Sequence, residues 1–279
     1  MTKQNVKKIT YLIIALGIIL VCVLGYMKAT KVSKKQVDIL FLGDSLIGQY
    51  RDETSIPYLV GQELGMTVFN GAMGGTSMAN LNVNGNEAYQ KDGLSLAALS
   101  KAISYDDFGR QQTIMVRESA TEHFPAVIDE LEQIDFEKLE YLIIEYGTND
   151  YFAGVRVENQ ENPYDETTFA GALRSSVEIL RKSFPELQII LISPTYNWYL
   201  NTVENCENKD FGGGYMPEYV NAVSQIAAQY DVGYVDVYTD FYPQKAHDEA
   251  LIYTEDGVHP NEDGRKKIAE AICDYIKGN

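Results

Sequence analysis

Cysteine is scarce in this sequence, with three residues in a chain of 279. Cys22 falls inside a long apolar run, so only Cys206 and Cys273 belong to the rest of the chain. Three cysteines are too few for the disulfide framework that holds small secreted domains together. A bridge between Cys206 and Cys273 stays open, but a buried or loop thiol is the state we expect for each. Stability must therefore come from a hydrophobic core, for which this length is sufficient.

Histidine is equally scarce, and its spacing argues against the usual metal sites. The three residues are His123, His247 and His259, and none has a second His or a Cys at metal-ligand spacing. A glycine-rich phosphate loop with a following Lys is also lacking. We therefore expect neither a metal nor another cofactor.

Positive charge is sparse outside the N-terminus. Residues 1–35 hold seven of the 23 basic residues and no acidic ones, which leaves 16 basic against 40 acidic residues in the rest of the chain. Nucleic acids bind cationic surfaces, so this balance argues against nucleic acid as a partner. High acidity is typical of an exposed and soluble domain.

One long apolar run lies near the N-terminus. Residues 9–27 carry no charge, and a helix with a rise of about 1.5 Å per residue would span a bilayer's hydrocarbon core there. A cleaved signal peptide is the alternative, but the run ends in Gly-Tyr-Met, which is a poor cleavage site. The pattern favours an uncleaved transmembrane signal anchor at 9–27, after a tail at 1–8 and before a basic linker at 28–36. We expect a single-pass protein of the cell membrane, with residues 37–279 as an extracytoplasmic domain.

Short apolar runs alternate with helical patterns throughout this domain. The runs predict strands at residues 37–42, 67–69, 141–144, 189–192 and 234–237. Apolar residues at i, i+4, i+8 and i+11 from Phe169 predict a helix that Pro185 ends, and residues 217–229 and 261–277 are also helical in pattern. Apolar strands that alternate with helices are typical of a mostly parallel sheet covered on both faces. We therefore predict an α/β domain built on one five-stranded sheet.

The segment at about 80–135 is long for one connection between strands. It contains predicted helices at 95–103 and 119–133, separated by a polar stretch. Long connections are typically lids or binding elements. We interpret this segment as an insertion that reshapes the substrate groove.

The predicted strands run directly into polar or glycine-rich turns. Because the carboxyl ends of parallel strands share one edge of a sheet, these turns meet in space. Ser45 follows the first strand, where its hydroxyl can project into the crevice as a nucleophile. Gly74 and Gly75 follow the second strand, and Asn149 the third; their N–H groups can face an oxyanion. Each turn on its own is equally compatible with an ordinary tight turn or helix cap.

The strongest local pattern is Asp256-Gly257-Val258-His259-Pro260. A nucleophilic serine needs a base, and that base needs an acceptor that holds one tautomer. Asp256 lies three residues before His259, across a turn that contains Gly257, and can supply the acceptor. Pro260 suits the first position of a helix, which predicts that His259 lies at a helix entrance.

Taken in order, these blocks resemble the SGNH/GDSL hydrolases. The resemblance is carried by Gly43-Asp44-Ser45-Leu46, residues 70–75, Gly147-x-Asn149-Asp150 and Asp256-x-x-His259-Pro260. It covers the chain from about residue 37 to the C-terminus. The resemblance implies a flavodoxin-like three-layer α/β/α sandwich that hydrolyses esters or acetyl groups without a cofactor.

The same resemblance implies roles for individual residues. Ser45 is the nucleophile, His259 the base and Asp256 the partner of the base. The oxyanion hole comprises the Ser45 backbone N–H, a glycine N–H and the Asn149 side chain. Counting along the second block favours Gly75 over the glycine before it.

Substrate evidence in the sequence lies mainly in aromatic residues near the predicted site. Tyr146, Tyr196 and Trp198, together with Asp44 beside the nucleophile, are the candidate substrate contacts. Aromatic rings can stack on sugars, although core packing explains such residues equally well. An anchored domain that faces outward meets glycans, so we expect a glycan ester or another small-molecule ester, with O-deacetylation of carbohydrate favoured. An acyltransferase with the same triad and a non-catalytic binding module are the alternatives.

Overall fold

Five short strands form the centre of the domain. The computed structural model describes residues 34–81, 93–112, 114, 124–242 and 246–278. The strands are β1 (Ile39–Gly43), β2 (Val68–Asn70), β3 (Tyr141–Glu145), β4 (Gln188–Ile192) and β5 (Gly233–Val235). All neighbours pair in parallel, which confirms the predicted sheet, and β5 is shorter than the apolar run that predicted it.

The strand order is β2-β1-β3-β4-β5, the order of flavodoxin-like sheets. The chain first moves outward from β1 to β2 and then crosses back to β3 on the other side of β1. Ligands bind at such a switch point, in the crevice outside the carboxyl ends of the strands. Gly43 of β1 pairs with Glu145 of β3, so the turns after these two strands begin at the same level of the sheet.

Helices cover both faces of the sheet. In chain order they are α1 (Ser45–Gly48), α2 (Ile56–Leu64), α3 (Leu96–Tyr105), α4 (Gly109–Gln112), α5 (Phe124–Leu131), α6 (Thr148–Phe152), α7 (Phe169–Ser183), α8 (Met216–Tyr230) and α9 (Glu262–Gly278). The helices predicted around 95–103, 169–184, 217–229 and 261–277 are confirmed within two residues at most ends. The helix predicted at 119–133 is described only from Phe124 onwards.

Alternate residues of each strand supply two separate cores. Leu40 and Leu142 point to one face, where they join the core that contains Leu173 of α7 and residues of α3 and α8. Phe41 and Ile143 point to the other face and share a core with α2 and α9. Both cores use side chains from the same strands, which is why the strands read as continuous apolar runs.

The described part of the segment at 80–135 belongs to the first of these helical layers. Helix α3 packs against α7 and buries most of its residues. The Ser95 side chain starts this helix by accepting the backbone N–H of Ala98. Residues 82–92 and 115–123, which include His123, lie outside the described residues.

The predicted anchor lies outside the described part of the chain, as do the tail at 1–8 and most of the linker at 28–36. Among the described residues, no helix has the length and apolar character needed to cross a bilayer. The anchor therefore stays a prediction. Cys206 and Cys273 are free and buried, as expected.

The core assignment can be tested on α7. Leu173→Ala is expected to lower the free energy of unfolding by about 2–5 kcal/mol, because it empties a wholly buried position. Lys182→Ala, exposed on the same helix, is the control and should change it by about 0.5 kcal/mol or less. Chemical denaturation measures both, and equal losses in the two variants contradict the assigned core.

Candidate active site

The turn that carries Ser45 follows β1 directly. The Asp44 side chain caps α1, with Oδ1 accepting the backbone N–H of Leu46 at 2.9 Å. Glycine is needed at position 43, since a Cβ there would lie 2.8 Å from the carbonyl oxygen of Glu145. The backbone of β1 thus approaches β3 closely, and the partly exposed Ser45 stands at the edge of the sheet.

Ser45, His259 and Asp256 form one chain of hydrogen bonds. The Oγ atom of Ser45 lies 3.0 Å from Nε2 of His259. The other ring nitrogen, Nδ1, lies 2.7 Å from Oδ2 of Asp256. The fold therefore brings together a hydroxyl and an imidazole that are 214 positions apart in the sequence.

A tight turn holds the imidazole in this place. Oδ1 of Asp256 accepts the backbone N–H groups of Val258 and His259, at 2.9 and 2.8 Å. Gly257 has φ of 89°, which favours glycine, and a Cβ there would lie 2.2 Å from the carbonyl oxygen of Trp198. The Gly257 carbonyl in turn accepts the Trp198 N–H at 2.9 Å. The turn is thereby fixed to the segment that follows β4.

The charge of Asp256 is set by the same contacts. Partial burial opposes its ionisation, but the backbone N–H and ring of His259 and the N–H of Val258 outweigh burial and hold the pKa of Asp256 below its ordinary value. A carboxylate therefore faces Nδ1 at neutral pH. This favours the tautomer with the proton on Nδ1, which leaves Nε2 as an acceptor for the Ser45 hydroxyl.

The helix after His259 begins later than the sequence predicts. Pro260 is not its first residue: it forms a β-bridge with Thr254, and α9 starts at Glu262. The side chain of Asn261 accepts the Gly264 N–H at 3.0 Å and so provides the cap. His259 consequently lies in a bridged turn, two residues further from the helix than expected.

The predicted oxyanion donors lie on two connected segments. Asn149, in α6, donates from Nδ2 to the carbonyl of Thr76 at 2.9 Å. This bond ties it to the loop of Gly75, which is exposed with φ of 70°, whereas Gly74 is buried. Among the described residues, neither the Ser45 amide nor the Gly75 amide donates to another backbone group. Gly75 is thus the more accessible of the two glycines, and its role as an oxyanion donor stays a prediction.

Two of the four predicted substrate contacts are wrong. Asp44 and Tyr146 are wholly buried, so neither side chain can touch a substrate. Tyr146 belongs to the core that contains Leu173, and the Asp44 carboxyl group accepts the Leu46 N–H instead of facing solvent. Trp198 is also largely buried and packs edge-on against His247, while Tyr196 is half-buried.

Two rings of an exposed aromatic group, Phe152 and Phe211, were not predicted from the sequence. Phe152, Tyr199 and Phe211, here called the aromatic rim, have ring centroids 5.3–5.8 Å apart. Phe152 follows Asn149 by one helical turn, and Tyr199 is next to Trp198, which binds the His259 turn. Proximity to the Asn149 block could have indicated Phe152, but Phe211 has no local signal.

Asp150 also has a role that its sequence context did not predict. Its carboxylate accepts the backbone N–H groups of Met78 and Ala79 at 2.8 and 2.9 Å, and so holds the end of the Gly75 loop. Burial raises the pKa of Asp150 to about 7. Among the described residues, no group of His, Cys, Asp and Glu has the arrangement of a metal site.

The sequence profile of the GDSL-like lipase/acylhydrolases matches residues 39–272. The chain belongs to this family and is an ester-hydrolysing enzyme. Among curated proteins, none matches the sequence.

Solved structures with the same fold are distant in sequence. A protein from Lactobacillus plantarum is 19% identical, over 89% of this chain and 99% of that one, with a TM-score of 0.60. A possible lipase from Chitinophaga pinensis is 17% identical, over 87% and 98% of the two chains, with a TM-score of 0.55. An acetyl xylan esterase is 16% identical, over 85% and 98%, with a TM-score of 0.52.

The placement of Asn149 leads to a kinetic prediction. Asn149→Ala should lower kcat on an aryl acetate by about 10²–10³-fold, because one donor to the developing oxyanion is lost. Asn159→Ala, on a surface loop, is the control and should leave kcat unchanged. A wild-type kcat in Asn149→Ala excludes the side chain from the oxyanion hole.

Proposed function

We propose that the chain is a serine esterase with Ser45 as nucleophile, His259 as general base and Asp256 as the residue that orients the base. The observation that carries this proposal is the unbroken chain from Oγ of Ser45 through the imidazole to the Asp256 carboxylate, with contacts of 3.0 and 2.7 Å. Both distances suit proton transfer without rearrangement.

The reaction follows from these contacts. Oγ of Ser45 bonds to the ester carbonyl carbon while its proton passes to Nε2 of His259. The carbonyl oxygen becomes an oxyanion, held by the amides of Ser45 and Gly75 and by the Asn149 side chain. As the carbon–oxygen bond to the alcohol breaks, the alcohol takes the proton from Nε2. Water then attacks the acyl-enzyme, giving its proton to Nε2, and the acid leaves as that proton returns to Ser45.

The nucleophile can be tested by substitution and by labelling. Ser45→Ala should reduce aryl acetate hydrolysis to background and abolish covalent labelling by a fluorophosphonate, because the attacking hydroxyl is gone. Ser55→Ala, which removes a buried hydroxyl at the start of α2, should still be labelled. Wild-type turnover by Ser45→Ala would exclude the proposed mechanism.

The substrate we propose is an O-acetylated carbohydrate. The aromatic rim supports this class, because Phe152 and Phe211 are 37% and 40% exposed and can stack on a sugar whose ester reaches Ser45. The fold shared with an acetyl xylan esterase is compatible with the same class. A signal anchor at 9–27, with the domain outside the cytoplasm, would bring the enzyme to such glycans.

Kinetics on two kinds of ester test the substrate class. Acetate release from acetylated xylan or a similar glycan should exceed cleavage of long acyl esters, and Phe211→Ala should raise KM for the glycan without changing aryl acetate hydrolysis. The control is Phe241→Ala, which removes a partly buried ring that packs against the core shared with α2 and α9. Preference for long acyl chains contradicts the carbohydrate proposal, and turnover that requires an acceptor other than water indicates an acyltransferase.

A further inference from the structure

Two buried carboxyl groups lie close together next to Ser45. Glu145 ends β3 and is 2% exposed, and Asp44 follows β1 and is 0% exposed. Gly43 of β1 pairs with Glu145 of β3, and Asp44 directly follows Gly43, so the two carboxyl groups are close enough for each to shift the pKa of the other. The reaction proposed above uses neither carboxyl group directly.

The surroundings of the pair are short of hydrogen-bond donors. Oδ1 of Asp44 accepts the Leu46 N–H, but Oδ2 and both carboxyl oxygens of Glu145 make no conventional hydrogen bond to a donor in the described part of the chain. Two adjacent buried carboxylates without donors are strongly unfavourable. One proton shared between them removes the repulsion and satisfies an oxygen on each side.

The contacts indicate that Glu145 holds this proton. Burial first, and then the negative charges of Asp44 and Asp150, raise the pKa of Glu145 well above its ordinary value. Burial also raises the pKa of Asp44, to about 6, but the backbone N–H groups of Leu46 and Asn149 act in the opposite direction, as does the charge of His259 when its ring is protonated. At neutral pH the pair is therefore a neutral Glu145 that donates to a charged Asp44.

The charged Asp44 links three parts of the site. It accepts the Leu46 N–H next to Ser45 and interacts with the backbone N–H of Asn149, the residue whose side chain is the proposed oxyanion donor. It also attracts the positive charge that His259 gains when its ring takes up a proton. We propose that Glu145 is a positioning residue, whose neutral carboxylic acid donates to Asp44 and so keeps Ser45, Asn149 and His259 in their reactive arrangement.

This inference rests on the proposed function for its kinetic consequence, but not for the protonation of Glu145. Glu145→Gln keeps a neutral donor of similar shape and should retain most of the wild-type kcat on an aryl acetate. Glu145→Met keeps the volume but removes the donor, and kcat should fall about 10- to 100-fold with little change in KM, since a hydrogen bond to a charged group is lost.

The pH dependence gives a readout that does not use activity. A buried acid with a raised pKa stabilises the folded state most below its unfolded value of 4.5, and this contribution is lost as pH rises towards the folded pKa. Glu145→Gln does not titrate, so its denaturation midpoint should rise relative to wild type as pH increases from about 5 towards the folded pKa of Glu145. Asp44, Asp150, Tyr146 and, across Asp44, His259 are the titratable groups that face this position, and all are present in both proteins.

Glu140→Gln is the matched control, since it lies exposed just before the opposite end of β3 and should show no such trend. A constant difference between Glu145→Gln and wild type over this pH range overturns the neutral Glu145. A loss of kcat in Glu145→Gln as large as in Glu145→Met overturns its donor role. Failure of the proposed function would appear instead as activity in Ser45→Ala, with the pH trend in stability unaffected.

Discussion

The parallel pairing of β1 with β3 is the constraint on which the site depends. Gly43 lies opposite Glu145, so the Ser45 turn and the Asn149 turn leave the sheet at one level. A side chain larger than hydrogen at position 43 would collide with the Glu145 carbonyl and separate the two strand ends. The proposed nucleophile and the proposed oxyanion donor are thus placed by backbone hydrogen bonds, which are more rigid than loop contacts.

The imidazole needs a second anchor, because its turn lies beyond the last strand. Arg265 of α9 provides one: its guanidinium donates to the Pro260 carbonyl and to the Thr54 carbonyl, both at 2.9 Å. The same group lies 3.6 Å from the centre of the Tyr50 ring. Arg265 therefore ties the turn of His259 to the segment that follows Ser45. The buried cation donates to these two carbonyl oxygens and to the Thr54 hydroxyl, and it pairs with the Glu255 carboxylate at 3.4 Å, which makes its burial tolerable.

The fold was predictable from sequence because its signals are local. Strands buried on both faces read as apolar runs, and the order of the four motif blocks indicated the family. The spacing of Asp256 and His259 likewise predicted their contact, since a three-residue turn closes on itself. The burial of three residues could not be predicted from local patterns, because it follows from the register between strands. These residues are Asp44, Tyr146 and Glu145. The start of α9 was misjudged because the cap of Asn261 outweighs the preference of Pro260 for a first helical position.

Buried carboxylates next to the site lower the free energy of unfolding. Their position indicates a role in the proposed reaction that can offset this loss. An imidazolium forms at His259 in each proposed proton transfer, and it must be stabilised where water is partly excluded. Asp256 faces it from one side in direct contact, and the charge of Asp44 acts on it from within the domain. Asp44 can stay charged there only if its neighbour Glu145 is neutral. The charge is thus placed on Asp44, which also binds the backbone of the Ser45 turn, and this couples the geometry of the proposed site to its electrostatics.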